Sequence, residues 1–144
     1  MVGEKRGSFY LRLHSLMNKW KLTNVTFLDP MPQGDLVKLM HQSDILFHPS
    51  RSEGFPKVVL EGAATGLPGV IFDHYEAPVV VDKVTGFQVK TVKELMDRLK
   101  VLIEDRALRQ GMGVAAIEHA RQFDWKVVVQ EWEHVFQDVV SKSK

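Results

Sequence analysis

Pro49-Ser-Arg-Ser-Glu53-Gly-Phe-Pro-Lys57-Val-Val-Leu-Glu61-Gly-Ala-Ala-Thr-Gly66-Leu-Pro68 is the stretch that decides the fold of this 144-residue chain. Two carboxylates, Glu53 and Glu61, flank a Gly-Phe-Pro turn that opens a helix of small and branched apolar residues. Pro56 suits the first helical position, and Gly66 with Pro68 suits the helix end, which predicts a helix over about 56–66. The segments on either side, Ile45-Leu-Phe-His-Pro49 and Gly69-Val-Ile-Phe-Asp73, read as strands. A strand–loop–helix–strand unit forms a ligand crevice at the carboxyl end of its strand. Backbone N–H groups and the helix dipole there favour an anion.

Working outward, Phe9, Leu11, Leu13, Leu16, Met17 and Trp20 approximate one face of a helix. Val25-Thr-Phe-Leu28 reads as a short strand ended by Asp29-Pro30 and Pro32. Leu36, Val37, Leu39 and Met40 form a helical stripe with Asp35 in its first turn. Beyond the focal unit come Asp73-His-Tyr-Glu-Ala-Pro78, Val79-Val-Val-Asp82 and a strand at Thr85-Gly-Phe-Gln-Val89. Helices follow over about Val92–Glu104, Arg106–Gln122 and Trp125–Val140, the last behind Asp124 as N-cap. Short apolar strands alternating with helical patterns predict an α/β fold, a doubly wound parallel sheet with helices on both faces. Trp125, Val128, Trp132, Val135, Phe136 and Val139 form an apolar stripe with two readings, packing on this domain, which is favoured, or partial exposure toward a partner domain. Gly3-Glu4 reads as the end of a strand whose beginning lies upstream, so the first strand–helix unit of such a sheet is expected to be missing.

Composition narrows the function classes. Nineteen basic residues against eighteen acidic ones give a net charge of +1, and no Lys/Arg run is interleaved with aromatics, so nucleic acid is not an expected partner. The lack of cysteine excludes disulfides and thiolate zinc sites. Six histidines occur without His-x3-His or similar spacing, so no metal is expected. No P-loop, nucleophile-elbow or Gly-x-Gly-x-x-Gly signature is present. With no signal peptide or membrane-spanning stretch, a cytoplasmic location is expected; peripheral membrane contact is left to other parts of a parent protein.

The focal residues each carry two readings. Glu53 is placed to offer acceptor oxygens to sugar hydroxyls, or else caps nearby N–H groups. Gly54 permits close backbone approach to a ligand, or simply serves a turn. Lys57, in the first helical turn, opposes the helix dipole by about 0.3–1 kcal/mol, a penalty that a bound diphosphate reverses. The alternative is a solvated lysine or one paired with Glu61. Glu61 sits among apolar residues and must reach solvent, Lys57 or a ligand; a ribose offers two adjacent hydroxyls to such a carboxylate.

These residues together resemble the carboxyl-terminal, donor-binding domain of a GT-B-fold retaining glycosyltransferase of the family 4 type. Glu53 and Glu61 match both ends of its Glu-x7-Glu signature, and Ser52-Glu-Gly-Phe55 and Glu61-Gly-Ala-Ala-Thr-Gly-Leu-Pro68 match its flanks. Val25-Thr-Phe-Leu28, Ser43-Asp-Ile-Leu-Phe-His-Pro-Ser50, Val84-Thr-Gly-Phe87 and Phe123-Asp-Trp125 resemble its other motifs in order.

The resemblance implies that residues 1–144 are a partial donor-binding domain without the acceptor domain. It further implies transfer of a hexosyl unit from a UDP- or GDP-sugar with retention and without a metal cofactor, by a parent protein whose isolated fragment is inactive. Glu53 would contact the transferred sugar and Glu61 the ribose. The amides of Gly54 and Phe55 would face the sugar–diphosphate region; Val84, Thr85 and Gly86 carry no assigned contact. The family often has a Gly-Gly pair after the aspartate matching Asp73 and a glutamate after the next proline. Here His-Tyr-Glu-Ala and Val79 stand there. That departure, with the family's upstream strand and its phosphate-binding Arg and Lys expected to be absent, motivates the alternative of a non-catalytic nucleotide-binding or interaction domain, and a GT-B epimerase is a third reading.

Overall fold

The computed structural model describes residues 7–142, so the strand end expected at Gly3-Glu4 lies outside the described residues. The chain divides into two compact units, with the boundary after Leu36.

In the first unit, α1 (Ser8–Lys19) forms on the predicted periodicity. Its Tyr10 ring meets Phe27 edge-on at 5.2 Å, and His14 stacks on the same phenyl at 6.4 Å. Phe9, Leu11 and Trp20 remain exposed. The strand expected at Val25–Leu28 does not form; only Leu28 makes a single bridge. Pro30 and Pro32 bring no N–H donors, so a ladder started there cannot run on. Helix α2 (Gln33–His41) crosses the boundary into the second unit.

The second unit is a parallel sheet with helices on both faces. Strands β1 (Leu46–His48), β2 (Gly69–Phe72) and β3 (Gly86–Val89) lie in that order. Leu46 pairs with Gly69, and Gly69 with Gly86. β2 is central and every one of its residues is buried. Strand alternation divides its side chains between two cores. Ile71 packs with Val59 and Ala63 of α3 (Lys57–Ala64) and with Ala116 and Ala120 of α5 (Arg106–Ala120). Val70 and Phe72 pack with Phe87 and Val89 of β3 and with Leu95 and Leu102 of α4 (Val92–Glu104).

Helix ends follow their sequence signals. Thr91 caps α4 by accepting from the Glu94 N–H, and Asp105 caps α5 by accepting from Leu108. α3 closes in a Schellman turn, with Leu67 N–H to Gly62 O at 2.9 Å, Gly66 N–H to Ala63 O at 3.0 Å, and Gly66 at φ 85°. After a 3-10 turn at Arg121–Phe123, Asp124 accepts from the Lys126 N–H and starts α6 (Trp125–Lys142).

The strands β1 and β2 are joined through α3, whereas the connection between β2 and β3, residues 73–85, is irregular and carries no helix, as in the sequence reading. The Thr85 hydroxyl holds that connection by accepting from Val81 N–H at 2.8 Å and donating to Val79 O. The apolar stripe of α6 is not buried on the domain, which corrects the favoured of its two readings. None of its residues is buried, and Trp125, Trp132, Val135, Phe136 and Val139 are exposed. The two faces of the central strand β2 are covered by α3 with α5 and by α4.

Two stability predictions follow from backbone geometry. A Cβ on Gly113 of α5 would lie 2.3 Å from the Gly66 carbonyl oxygen, so Gly113→Ala forces α5 away from the end of α3. Propensity alone favours alanine by about 1 kcal/mol. The clash is expected to win, with a net loss of roughly 1–3 kcal/mol in denaturant titration. Lys83 holds φ 63° without being glycine. Lys83→Gly relieves that strain and is expected to raise the melting temperature.

Candidate functional site

The site is built where β1 ends and α3 begins. Leu46 packs toward α3, and alternation along β1 puts His48, two residues on, on the same face. The loop from Pro49 to Pro56 then brings Glu53 back over the strand end, with its Oε1 3.0 Å from His48 Nε2. Hydrogen bonds from Ser50 and then His48 hold the Glu53 carboxyl below its ordinary value of 4.5. With 32% of its side chain exposed, Glu53 remains open to a ligand.

Helix α3 presents its amino end at the same place. Pro56 is its N-cap, one position earlier than the predicted first helical residue, and offers no side-chain cap. The Val59 and Leu60 N–H groups both find the Pro56 carbonyl. Those of Lys57 and Val58 have no residue one turn back within the helix to accept from them, as a first turn requires. Lys57 is exposed and Glu61 half-buried. Four residues apart, they share the helix face opposite the buried Val59, Gly62 and Ala63. The carboxylates of the signature thus sit one in the loop and one a turn into the helix, with the lysine between them.

Gly54 does not adopt the left-handed conformation that would have made it a turn requirement. A Cβ built on it meets nothing within 4 Å, so the backbone there is open to approach. Phe55 is 42% exposed, and its ring rests 5.7 Å from Phe123. Phe123 meets His119 edge-on, and His119 Nε2 donates to the Pro78 carbonyl at 2.7 Å. This relay links the β1–α3 loop, the end of α5 and the β2–β3 connection.

That connection also borders the site. Asp73, Tyr75, Glu76, Ala77, Pro78 and Gln88 line a shallow depression of about 440 Å³. The Tyr75 hydroxyl is buried without a hydrogen-bond partner, and burial followed by the nearby Glu53 carboxylate pushes its pKa up. Sequence reasoning missed His48 and Tyr75 as site residues. The available signal for His48 was its strand phase with Leu46; nothing local signalled Tyr75.

Residues 1–119 match the family described as Glycosyl transferases group 1. The chain belongs to this family. It is 39% identical over 117 residues to D-inositol 3-phosphate glycosyltransferase of Corynebacterium diphtheriae, covering 79% of this chain and 27% of that protein. An N,N'-diacetylbacillosaminyl-diphospho-undecaprenol alpha-1,3-N-acetylgalactosaminyltransferase of Campylobacter jejuni is 31% identical over 111 residues, 75% of this chain and 30% of its own length. The crystal structure of Anabaena HepE in complex with UDP-glucose superposes with a TM-score of 0.82 at 27% identity, covering 95% of this chain and 40% of that one. The chain thus spans less than a third of these two curated relatives. Its sheet and helices are those of the Rossmann-like carboxyl-terminal domain of GT-B glycosyltransferases.

Because its folded pKa is lowered, Glu53 contributes stability above about pH 4.5 that disappears as pH falls through the folded value. Thermal melts of the chain and of Glu53→Gln should therefore converge as acidification carries the pH below about 4.5 and through the lowered folded value. A gap that does not change with pH would contradict the Ser50 and His48 hydrogen bonds.

Proposed function

We propose that this chain is the nucleotide-sugar-binding part of a glycosyltransferase that transfers a hexosyl unit from a nucleotide-diphosphate sugar to an acceptor, with retention and without a metal. The observation that carries the reading is the placement of Glu53, the open Gly54 backbone, Lys57 and Glu61 around the amino end of α3 at the β1 mouth. The UDP-glucose complex of the structurally similar Anabaena HepE supports it.

In this reading Glu53 accepts from hydroxyls of the transferred sugar, and Glu61 takes both hydroxyls of the ribose. The diphosphate lies against the Gly54 and Phe55 amides and the first turn of α3. There the helix dipole and Lys57 offset its charge. As the leaving group gains negative charge, these fixed dipoles and the cation stabilise it without reorganising, which is the electrostatic part of the catalysis. Residues 1–144 make a partial donor domain. The acceptor is held by a separate domain of a longer, cytoplasmic parent protein, and the isolated chain binds donor weakly and transfers nothing.

A second reading, a nucleotide-binding domain that transfers no sugar, is favoured by one feature. Tyr75 and Glu76 follow Asp73 where the family often carries a glycine pair. Product formation from a nucleotide sugar by the parent protein decides against it.

Three substitutions in the parent protein test the roles. Glu61→Gln should raise the donor KM by about tenfold, since hydrogen bonds to charged groups contribute about 1.5–3 kcal/mol. Glu53→Gln should lower kcat. Gly54→Ala should leave stability within about 0.5 kcal/mol, because its Cβ meets no neighbour, yet weaken donor binding by occupying ligand space. Unchanged kinetics in both glutamate variants would defeat the assignment.

A further inference from the structure

His48 is the last residue of β1, held in parallel register opposite Ile71, with 22% of its side chain exposed. Glu53 is held differently, on an irregular loop whose backbone makes no sheet ladder. A loop glutamate has three side-chain torsions to fix before it can present an oxygen in one direction. The contact at 3.0 Å between His48 Nε2 and Glu53 Oε1 is the strand's means of fixing them.

We propose that His48 is a positioning residue for sugar recognition. Its Nε2–H holds Oε1 of Glu53, so that Oε2 is presented to a hydroxyl of the transferred sugar. The inference rests on the donor-binding role proposed for Glu53. His48 itself touches no ligand; it acts through the carboxylate.

The groups that face this carboxylate come from three places. His48 belongs to β1, Ser50 to the loop that carries Glu53, and Tyr75 to the β2–β3 connection. Tyr75 stays a neutral phenol at ordinary pH, since burial and Glu53 both raise its pKa. Ser50 lies on the same irregular loop as Glu53. Among the described residues, His48 is the partner that connects Glu53 to a strand. As a stability device the pair would be poor, because a partly exposed side-chain contact of this kind contributes little to folding. Its location at the β1 mouth gives it a different use.

The test compares UDP-glucose, UDP-N-acetylglucosamine and GDP-mannose with free UDP and GDP, titrated calorimetrically into the full-length protein carrying His48, His48→Leu or His48→Gln. Glutamine places an amide N–H near the site of imidazole Nε2 and serves as the rescue. The expected result is a loss of roughly tenfold in affinity for the bound nucleotide sugar in His48→Leu, no change for the free diphosphate, and recovery in His48→Gln. The carboxyl ¹³C titration of Glu53 should move up in His48→Leu. Equal losses for sugar-bearing and free nucleotides, or no loss for either, would overturn the proposal while leaving the donor-binding reading intact. A wild-type protein that binds none of the three nucleotide sugars would overturn both.

Discussion

The close approach of α3 to β1 is the constraint on which the site depends. Gly62 makes it possible: a Cβ there would come within 2.7 Å of the Leu46 side chain. On the other flank, Gly66 and Gly113 bring α3 and α5 into backbone contact. A helix held this tightly between a strand and a second helix has little freedom to tilt or slide. Its first turn is therefore delivered at the mouth of β1, and the eight-residue loop from Pro49 to Pro56 must fold back over the strand end to reach it. Glu53 and Gly54 occupy that fold-back. Their location is set by the packing of α3, several residues away from either of them.

Electrostatics then sorts the roles. The amino end of α3 carries partial positive charge and unfilled N–H groups, with Lys57 adding a full charge in a position that a bare helix disfavours. This is a surface suited to an anion. Glu53 is turned toward Ser50 and His48, and Glu61 lies one turn beyond Lys57 on the helix face away from the core. In the function we propose, the diphosphate lies at this helix end, with the transferred sugar toward Glu53 and the ribose toward Glu61.

Much of this was legible in the residues. The β1–α3–β2 unit was readable because strand, turn and helix signals agreed at every level, from Pro56 at the helix start to Gly66 at its end. The acidic pair and Lys57 were readable from spacing. What failed were inferences about partners. Val25–Leu28 has the right residue types for a strand, but strand formation is settled by who supplies the neighbouring ladder, which local pattern does not encode. The α6 stripe has helical period, yet periodicity reveals a face and not what covers it. The hydrogen bond between His48 and Glu53 depends on how an irregular loop closes over five residues. The proximity of Tyr75 to Glu53 is a tertiary fact joining two loops. Gly54 carries two readings in the sequence, and its backbone lies outside the left-handed region with empty space above it.

The account stands on one spatial claim, that a nucleotide sugar lies against the loop before α3. Amide ¹H–¹⁵N spectra of the chain during titration with UDP-glucose test it directly. The account predicts that the largest shift changes fall on Gly54, Phe55, Lys57 and Val58, with smaller ones at His48 and Tyr75. Changes confined to other surfaces, such as the exposed face of α6, or saturation binding that leaves the β1–α3 loop unmoved, would contradict it.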